Sequence, residues 1–452
     1  METLRFDVVV VGAGLSGLRF ARLVAEKGFN VAIIERKSRN RIGMKTCGDA
    51  IGKHHFDRLG ITYPKGEELE LAVDGIKIYS PDENVIWRVP GEGFEVNRYA
   101  FGQRFLREAE RYGAIVFSEV IALNPIVEKG YVIGVQARKV DGGKVVFKSR
   151  ILIDASGVSA VIRTKLPNTW PVSEPLRYED ASIAYREIRT VRDEIDDYSY
   201  IRIYLSQKIS PGGYWWFFPK GPYKVNVGLG VWGVKGLPNP KQQFYKYIAT
   251  REELRRSRVL DAGGGIVPTR RPLNVMVAPG FMTFGDAGLT VNPVHGGGMG
   301  PSLIAATKAA EIAIEALERD DVSLKGLWGF TRSYNLAYGA KQAALDIMRM
   351  FLQHLNDEDL NFIMHKNLIT EHDLSYTSSE GDLKLSVVEK ALRIIRGLTR
   401  PTLLSKLKML SEYMNKARVL YMEYPEKPED YNLWASKVKL LYDKFKFEIQ
   451  KT

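Results

Sequence analysis

The start of the chain combines two short apolar runs with one helical repeat. Residues 6–11 form a valine-rich run that predicts a buried strand, and residues 31–34 form a second run of the same kind. Between them, residues 18–25 repeat apolar side chains with the period of an α-helix. The order of strand, helix and strand predicts a β-α-β unit with parallel strands.

A glycine-rich turn joins the first predicted strand to its helix. Gly12, Gly14 and Gly17 form a G-x-G-x-x-G pattern. In such a turn the first glycine permits a tight turn, the second lets the backbone approach a pyrophosphate, and the third lets helix and strand pack closely. Glu35 closes the second strand, where a carboxylate can accept hydrogen bonds from a ribose diol. We interpret the unit as a dinucleotide-binding site rather than a purely structural turn.

Two later segments favour FAD over NAD as the dinucleotide. Residues 151–163 read as a strand that ends in Asp154 and is followed by Arg163, and residues 281–288 read as a strand that ends in Gly-Asp. These segments resemble the second and third motifs of the para-hydroxybenzoate-hydroxylase-like flavoproteins, in which the Gly-Asp carboxylate binds the ribityl chain. The resemblance implies that Asp286 is a flavin ligand. The alternative is that Asp286 only caps the helix that follows.

A second glycine-rich segment, residues 291–300, leads into a predicted helix. Free N–H groups and the positive end of the helix dipole can stabilise the negative charge near N1 and O2 of a reduced flavin. We expect His295 to be a structural or flavin-edge contact rather than the proton donor. Arg98 opens another predicted helix, and we expect it either to reach the cofactor or to be a surface charge. The residues expected to hold FAD are Gly12, Gly14, Leu15, Gly17, Glu35, Arg36, Cys47, Gly48, Arg98, Ala122, Asp286, Gly297, Gly298 and Met299.

The rest of the chain predicts a second sheet and then a helical region. Apolar and polar residues alternate along residues 69–96, which predicts paired strands with turns at Asp74-Gly75 and Pro81-Asp82. Apolar residues recur with a helical period along residues 97–112, which predicts a helix. From about residue 311 the pattern is helical, with breaks at Gly381-Asp382 and at residues 425–428.

The predicted fold class is α/β, with a Rossmann-type FAD-binding domain of three ββα layers, an antiparallel β-sheet substrate domain and a C-terminal helical region. The predicted ranges are 1–72, 97–169 and 263–310 for the FAD-binding domain, 73–96 and 170–262 for the substrate domain, and 311–452 for the helical region.

Composition narrows the class of protein. A chain of 452 residues that is 45% hydrophobic and 26% charged is typical of a globular protein with two or three domains. Cys47 is the only cysteine, which excludes disulfides within the chain and a cysteine-ligated iron–sulfur cluster, and we predict no metal site. The formal charge of +12 is dispersed, so we interpret most of it as a solvated surface. No nucleic-acid-binding motif accompanies the charge.

Two further segments point to the substrate. Residues 214–218 are five consecutive aromatic residues, which in an extended strand send Tyr214, Trp216 and Phe218 to one face and Trp215 and Phe217 to the other. The alternative is a core strand buried on both faces. The second segment is the loop at residues 41–50, which carries the sole cysteine next to the nucleotide-binding unit. We expect this cysteine to be a site residue rather than core packing.

Together the glycine-rich turn, the Lys-Thr-Cys-Gly-Asp loop at 45–49, the aromatic segment at 214–219 and the Gly-Asp-Ala at 285–287 resemble the geranylgeranyl reductase family. The resemblance is strongest to its archaeal members that act on digeranylgeranylglycerophospholipids. It implies an FAD enzyme that saturates the isolated double bonds of geranylgeranyl chains in archaeal ether lipids. The resemblance places Cys47 near the isoalloxazine. The substrate contacts that we expect are Tyr214, Trp216, Phe218, Pro219 and His295.

The chemistry of that reaction fits these residue types. An isolated alkene is not polarised, so hydride from a reduced flavin needs a proton delivered to the other carbon. Aromatic faces can stabilise positive charge that develops there, and we take Cys47, Tyr214 and Trp216 as the catalytic candidates. The alternatives are an FAD monooxygenase of the same fold and a non-catalytic carrier of polyprenyl lipids.

The expected partners are a geranylgeranyl lipid and an external electron donor, either reduced ferredoxin or NAD(P)H, with no nucleic acid. The sequence has no long uncharged apolar run and no secretory signal. It therefore predicts a cytoplasmic protein, and a peripheral position at the inner face of the cell membrane is compatible with that prediction.

Overall fold

The first of two β-sheets contains the predicted nucleotide-binding unit. The computed structural model describes residues 2–371, 373 and 399–451, and strands and helices are numbered along the chain. The strands of the first sheet are β1 (Glu2–Val11), β2 (Val31–Glu35), β6 (Ile115–Ser118), β7 (Val120–Glu128), β8 (Tyr131–Lys139), β9 (Lys144–Asp154), β15 (Val277–Ala278) and β16 (Phe281–Thr283). Its main path runs β15-β16-β9-β1-β2-β6, with β7 and β8 joined to β9 as an antiparallel meander.

The centre of the first sheet is buried on both faces, as a parallel sheet requires. β1 pairs in parallel with β2 and with β9, so Val10 lies opposite both Ile33 and Ile153. Val8 and Val10 pack towards the helices, whereas Val9 packs towards the β7–β8 meander, and all three are fully buried. The result is three layers of meander, sheet and helices, which confirms the predicted Rossmann-type fold class.

The helices lie in three groups along the chain. They are α1 (Leu15–Ala25), α2 (Lys53–Leu59), α3 (Arg98–Arg111), α4 (Pro240–Gln243), α5 (Met299–Glu318), α6 (Leu324–Leu327), α7 (Gly329–Tyr334), α8 (Ala340–Leu352), α9 (Asp357–His365), α10 (Pro401–Met422) and α11 (Tyr431–Lys451). Helix α3 begins where the sequence predicts, because the Asn97 side chain accepts hydrogen bonds from the N–H groups of Tyr99 and Ala100.

The second sheet is large and nearly all antiparallel. Its strands are β3 (Ala50–Gly52), β4 (Leu69–Tyr79), β5 (Ile86–Val96), β10 (Ala181–Thr190), β11 (Tyr200–Tyr204), β12 (Trp215–Pro219), β13 (Lys224–Trp232) and β14 (Arg258–Pro268). Their order is β14-β10-β13-β12-β11-β4-β5-β3, and β11 pairs with β4 in parallel. Strand β3, the start of β4 and the end of β14 belong to this sheet although they lie within the ranges predicted for the FAD-binding domain. The division by residue range otherwise stays a prediction.

The predicted turn at Asp74-Gly75 is wrong. Both residues lie inside β4, where the register against β5 shifts between Val73 and Gly75. A Cβ atom at Gly75 would lie 2.6 Å from the carbonyl oxygen of Val89. The Asp-Gly pair therefore marks a β-bulge rather than a turn, since glycine within a strand often lies at a bulge or where another backbone comes close. The chain turns instead at residues 81–83, between the two strands, as the Pro81-Asp82 pattern predicts.

The helical region packs on the nucleotide-binding layers through α8. The Tyr442 hydroxyl of α11 donates to the carbonyl oxygen of Ala343 at 2.8 Å, and the Gln342 amide donates to that of Leu289 at 2.6 Å. The break at residues 425–428 falls between α10 and α11. The predicted break at Gly381-Asp382 lies outside the described residues. Within the described part of the chain, no helix is both long and apolar enough to cross a membrane.

Candidate active site

The glycine-rich turn has the geometry that its three glycines predict. Gly12 has φ +108°, and a Cβ atom there would lie 2.4 Å from the carbonyl oxygen of Ala155. A Cβ atom at Gly17 would lie 2.1 Å from the Gly12 oxygen, so helix α1 can approach β1 only without a side chain. At Gly14, no described atom lies within 4 Å of the Cβ position. The backbone at the start of α1 is thus open to an approaching pyrophosphate.

The Glu35 carboxylate is fixed beside this turn. Its Oε2 accepts a hydrogen bond from the Ala13 N–H and its Oε1 accepts one from the Lys37 N–H, both at 2.9 Å. Leu15 is buried as the first residue of α1, whereas Arg36 is exposed at the end of β2. Ala122 is half-buried on β7, which packs beside β2. These positions surround the carboxyl end of β2, where an adenosine ribose would lie.

A hydrogen bond links the second motif, residues 151–163, to the third, residues 281–288. The Asp154 carboxylate accepts hydrogen bonds from the N–H groups of Ile162 and Arg163, at 3.0 and 2.7 Å. The buried Arg163 guanidinium in turn donates to the carbonyl oxygen of Ala287 at 2.8 Å. Because β9 and β16 are parallel neighbours, their carboxyl ends bring both motifs to the edge of the sheet that the glycine-rich turn also occupies.

The cysteine loop and the start of α5 meet at Asp286. The Lys45 Nζ lies 2.8 Å from Asp286 Oδ2, and a Cβ atom at Gly298 would lie 3.3 Å from Oδ1. The Asp286 carboxylate raises the pKa of Lys45, while desolvation and, to a smaller extent, the nearby Arg98 oppose that shift. Gly297, Gly298 and Met299 form the N-terminal end of α5 at this point. Two of the Arg98 guanidinium nitrogens, Nε and Nη1, are buried and have no hydrogen-bond partner among the described residues.

The cysteine loop lies against the aromatic strand. A Cβ atom at Gly48 would lie 3.2 Å from the Phe218 ring, and the Cys47 carbonyl oxygen accepts a hydrogen bond from the Asn226 amide at 2.8 Å. The Cys47 side chain is partly exposed. The structure thus brings the sole cysteine, the flavin motifs and the aromatic segment together.

Strand β12 alternates its side chains between two faces, and all five of its residues are buried, so the alternative of a core strand buried on both faces holds for Trp215–Pro219. Tyr214, which directly precedes the strand, is half-buried. Tyr214, Trp216 and Phe218 share one face, with ring centroids 6.1 and 6.0 Å apart along the row. On the opposite face Trp215 stacks on Tyr204 with centroids 3.6 Å apart, and it is 1% exposed. Gly228 of β13 leaves room for the Trp216 ring, since a Cβ atom there would lie 2.6 Å from it. Pro219 ends the strand and is buried.

A buried polar cluster supports both the loop and the aromatic strand, and sequence reasoning missed it. The Asn226 side chain accepts a hydrogen bond from the Trp216 indole at 3.1 Å and donates to Asp49 Oδ2 at 3.1 Å. The Lys220 Nζ lies 3.0 Å from the same oxygen and 3.5 Å from Glu95 Oε2. Burial raises the pKa of Glu95 well above its usual range, against the effect of Lys220. Lys220 thus lies between two buried acidic side chains, which is the pairing that a buried ammonium needs.

Tyr214 and His295 are linked at the N-terminal side of α5. The Tyr214 hydroxyl donates to the carbonyl oxygen of His295 at 2.7 Å. Burial and the neighbouring Cys47 raise the pKa of Tyr214, so its hydroxyl keeps its proton. His295 is exposed, but desolvation of its ring by the surrounding protein and the positive charge of Lys341 lower its pKa to about 4. Its Nδ1 accepts the Gly297 N–H at 3.0 Å, as a neutral ring would.

These residues fit FAD by their own geometry. The open backbone at Gly14 suits a pyrophosphate, and the unpartnered nitrogens of Arg98 are donors that an anionic group can satisfy. Asp286 and the first turn of α5 lie where the two later motifs meet. The fold and the site define a flavoprotein oxidoreductase.

Comparison with known proteins identifies the family. Residues 10–70 match the model of the NAD(P)-binding Rossmann-like domain, and residues 180–267 match that of the geranylgeranyl reductase catalytic domain. The chain is 45% identical to the digeranylgeranylglycerophospholipid reductase of Sulfolobus acidocaldarius over 97% of both chains. It is 30% identical to that of Methanothrix thermoacetophila over 85% of this chain and 96% of the relative. The chain belongs to the digeranylgeranylglycerophospholipid reductase family, and it is an FAD-dependent oxidoreductase.

Solved structures share the fold. A geranylgeranyl bacteriochlorophyll reductase-like protein from Thermoplasma acidophilum aligns with a TM-score of 0.76 at 24% identity, over 90% of this chain and all of that one. The FAD-dependent chondrochloren halogenase of a myxobacterium aligns with a TM-score of 0.64 at 19% identity, over 93% of this chain and 97% of that one. At these identities the likeness concerns the fold alone.

Proposed function

We propose that this protein saturates the isolated carbon–carbon double bonds of geranylgeranyl chains in archaeal ether lipids, with digeranylgeranylglycerophospholipid as the substrate. The observation that carries the proposal is the 45% identity, over 97% of both chains, to a relative named for that substrate. The aromatic face of β12 beside the cysteine loop supports it, since a long apolar chain needs an apolar surface next to the reacting groups.

The residues of the first, second and third motifs hold FAD in this proposal. The open turn at Gly14 takes the pyrophosphate, the Glu35 carboxylate takes the adenosine ribose, and Asp286 takes the ribityl chain. Arg98 contributes its unpartnered guanidinium to an anionic part of the cofactor. Bound FAD, once reduced, supplies the hydride.

The protein has to supply the proton and an environment for developing positive charge. Cys47 delivers the proton, because its partly exposed side chain lies in the loop that contacts the aromatic strand. Tyr214 stays protonated and is bonded to the backbone at His295, so it orients groups near Cys47. The faces of Trp216 and Phe218 lie beside the isoprenoid and stabilise positive charge on carbon, with His295 at the Tyr214 end of this surface. The alternation of the strand puts Pro219 on the opposite face, so it is the weakest of the expected substrate contacts.

The electron donor and the location are part of the same proposal. We propose that electrons come from an external donor, reduced ferredoxin or NAD(P)H. A phospholipid substrate resides in a bilayer, so we also propose a cytoplasmic enzyme that works at the inner face of the cell membrane.

An anaerobic titration tests the proposed reaction. The FAD-loaded protein is reduced with dithionite, excess dithionite is removed, and digeranylgeranylglycerophospholipid in detergent is added without oxygen. We expect the absorbance of oxidised flavin to return in proportion to the lipid, because each double bond takes up two electrons. An FAD monooxygenase would instead stay reduced until oxygen is admitted, and a lipid carrier would stay reduced as long as oxygen is absent. Either result would contradict the proposal.

Replacing Arg98 by alanine tests the proposed cofactor contact. We expect FAD affinity to fall about tenfold or more, since a charge-assisted hydrogen bond contributes about 1.5–3 kcal/mol. The melting temperature of the FAD-free protein should stay unchanged, because Nε and Nη1 have no hydrogen-bond partner to lose among the described residues. Fluorescence titration with FAD measures the affinity. The matched control is Arg111→Ala at the exposed last residue of the same helix. Equal FAD affinities in both variants would remove Arg98 from the site.

A further inference from the structure

The C-terminal helix α11 carries an apolar stripe that faces away from the protein. Leu433, Leu440 and Phe447 are spaced seven residues apart, and they are 67%, 56% and 58% exposed. Seven residues are nearly two helical turns, so the three side chains lie in one row, about 21 Å long at a rise of about 1.5 Å per residue. Lysines fill the gaps in the row. The lipid stripe, as we name this row, consists of Leu433, Lys437, Leu440, Lys444, Phe447 and Lys451.

The stripe is separate from the side of α11 that packs on the protein. The buried side chains of the helix are Trp434, Val438, Tyr442, Phe445 and Ile449. At 100° per residue these five are centred about 140° around the helix from the stripe. The helix therefore already has its core face, and the exposed leucines and phenylalanine are not needed to hold it in place. A row of large apolar side chains that is left in water indicates an interaction surface.

The charges on α11 indicate which surface the stripe fits. All three lysines of the stripe are exposed, and the Lys451 ammonium lies 4.1 Å from the centre of the Phe447 ring. The two acids of the helix are outside the stripe and engaged elsewhere: Asp443 with Lys439 at 2.7 Å, and Glu448 with the Tyr413 hydroxyl at 3.0 Å. Lysine side chains can extend their ammonium groups to phosphates while their methylene groups stay beside apolar neighbours.

We propose that α11 lies on the surface of an anionic bilayer, with Leu433, Leu440 and Phe447 in the apolar boundary and the stripe lysines at the lipid phosphates. Helices with an apolar row and basic side chains bind bilayers in this way. A second copy of the chain is a poorer occupant, because pairing through the same stripe would bring lysines of the two copies together. The inference deepens the proposed function, since it rests on a substrate that resides in the membrane.

Vesicle flotation of the FAD-loaded protein tests the inference without any turnover of lipid. The vesicles contain equal amounts of phosphatidylglycerol and phosphatidylcholine, and vesicles of phosphatidylcholine alone serve as the neutral comparison. We expect binding to the anionic vesicles that weakens with salt. The variant L433S/L440S/F447S should need about tenfold or more lipid for half-maximal binding. All three positions are exposed, so its melting temperature should match that of the wild type.

A charge-matched pair of variants locates the surface. K437Q/K444Q removes two lysines of the stripe, and K439Q/K446Q removes two exposed lysines of the same helix outside it. We expect the first pair to weaken binding about fivefold or more and the second to change it less than about twofold. Equal loss in both pairs, or wild-type binding by L433S/L440S/F447S, would overturn the proposal. The proposal would also be overturned if light scattering showed that the wild-type protein is a dimer and that L433S/L440S/F447S is a monomer.

The two proposals fail separately. Reduction of detergent-dispersed lipid needs no bilayer, so the stripe variants should keep the wild-type rate in the anaerobic titration. If vesicle binding is lost while that rate is kept, the docking surface is supported. Vesicle binding by a protein that reduces no lipid would leave the surface in place and contradict the proposed reaction.

Discussion

Replacing Trp215 by alanine is expected to lower the free energy of unfolding by about 3–5 kcal/mol, the usual loss for a large aromatic residue in a core. Trp215 is 1% exposed and stacks on Tyr204. The same face of β12 packs on Phe244 and Ile248. Any FAD-loaded protein that remains folded should reduce lipid at the wild-type rate. Urea unfolding and the anaerobic titration measure the two quantities.

The neighbouring Tyr214 is the matched control, because it lies on the opposite face of the strand. Tyr214→Ala removes a half-buried side chain and one hydrogen bond to the backbone, so we expect less than about 2 kcal/mol of destabilisation. Lipid turnover should fall, because this face lies beside the cysteine loop. A normal rate in Tyr214→Ala, or a normal stability in Trp215→Ala, would show that the assignment of the two faces to substrate and core is wrong.

Replacing Cys47 by alanine is expected to slow alkene reduction about a hundredfold or more, since a positioned proton donor contributes about 10²–10⁴-fold. FAD binding should stay intact, because the contact that holds this loop runs from the Asn226 amide to the backbone oxygen of Cys47 and survives the change. Single-turnover reoxidation of reduced flavin by the lipid measures the rate, and flavin absorbance measures the FAD content.

Serine at position 47 separates proton transfer from packing. A hydroxyl can still pass a proton, so Cys47→Ser should recover part of the rate, whereas a thiol that only fills space would be replaced equally well by alanine. Wild-type rates in both variants would make Cys47 a packing residue and leave Tyr214 as the candidate donor.

The parts of the site that were predictable from sequence are those with local signals. The role of the glycines in the first turn can be predicted because their spacing reflects contacts between a strand and the helix that follows it. The alternation of residues 214–218 follows from the geometry of any strand. The turn predicted at Asp74-Gly75 was wrong because an Asp-Gly pair occurs both in turns and in β-bulges. Only the pairing of β4 with β5 distinguishes the two.

The buried cluster shows why the remainder could not be predicted. Lys220 and Asp49 are 171 positions apart in sequence, and Asn226 reaches Cys47 over 179 positions. A lysine after a strand and an asparagine within one have no periodicity that marks them as partners. They meet because β12 and β13 lie beside the loop that precedes β3, a neighbourhood that exists only once both sheets have formed. The cluster contributes to the site by holding Trp216 and the Cys47 backbone to the same amide.

The mass of the product tests the central claim most directly. Digeranylgeranylglycerophospholipid is incubated anaerobically with the dithionite-reduced, FAD-loaded protein, extracted and measured by mass spectrometry. If the protein saturates isolated double bonds, the lipid mass rises in steps of two hydrogens, and a control without protein stays unchanged. A lipid recovered at its original mass, or a product that gains an oxygen atom when air is admitted, would contradict the account.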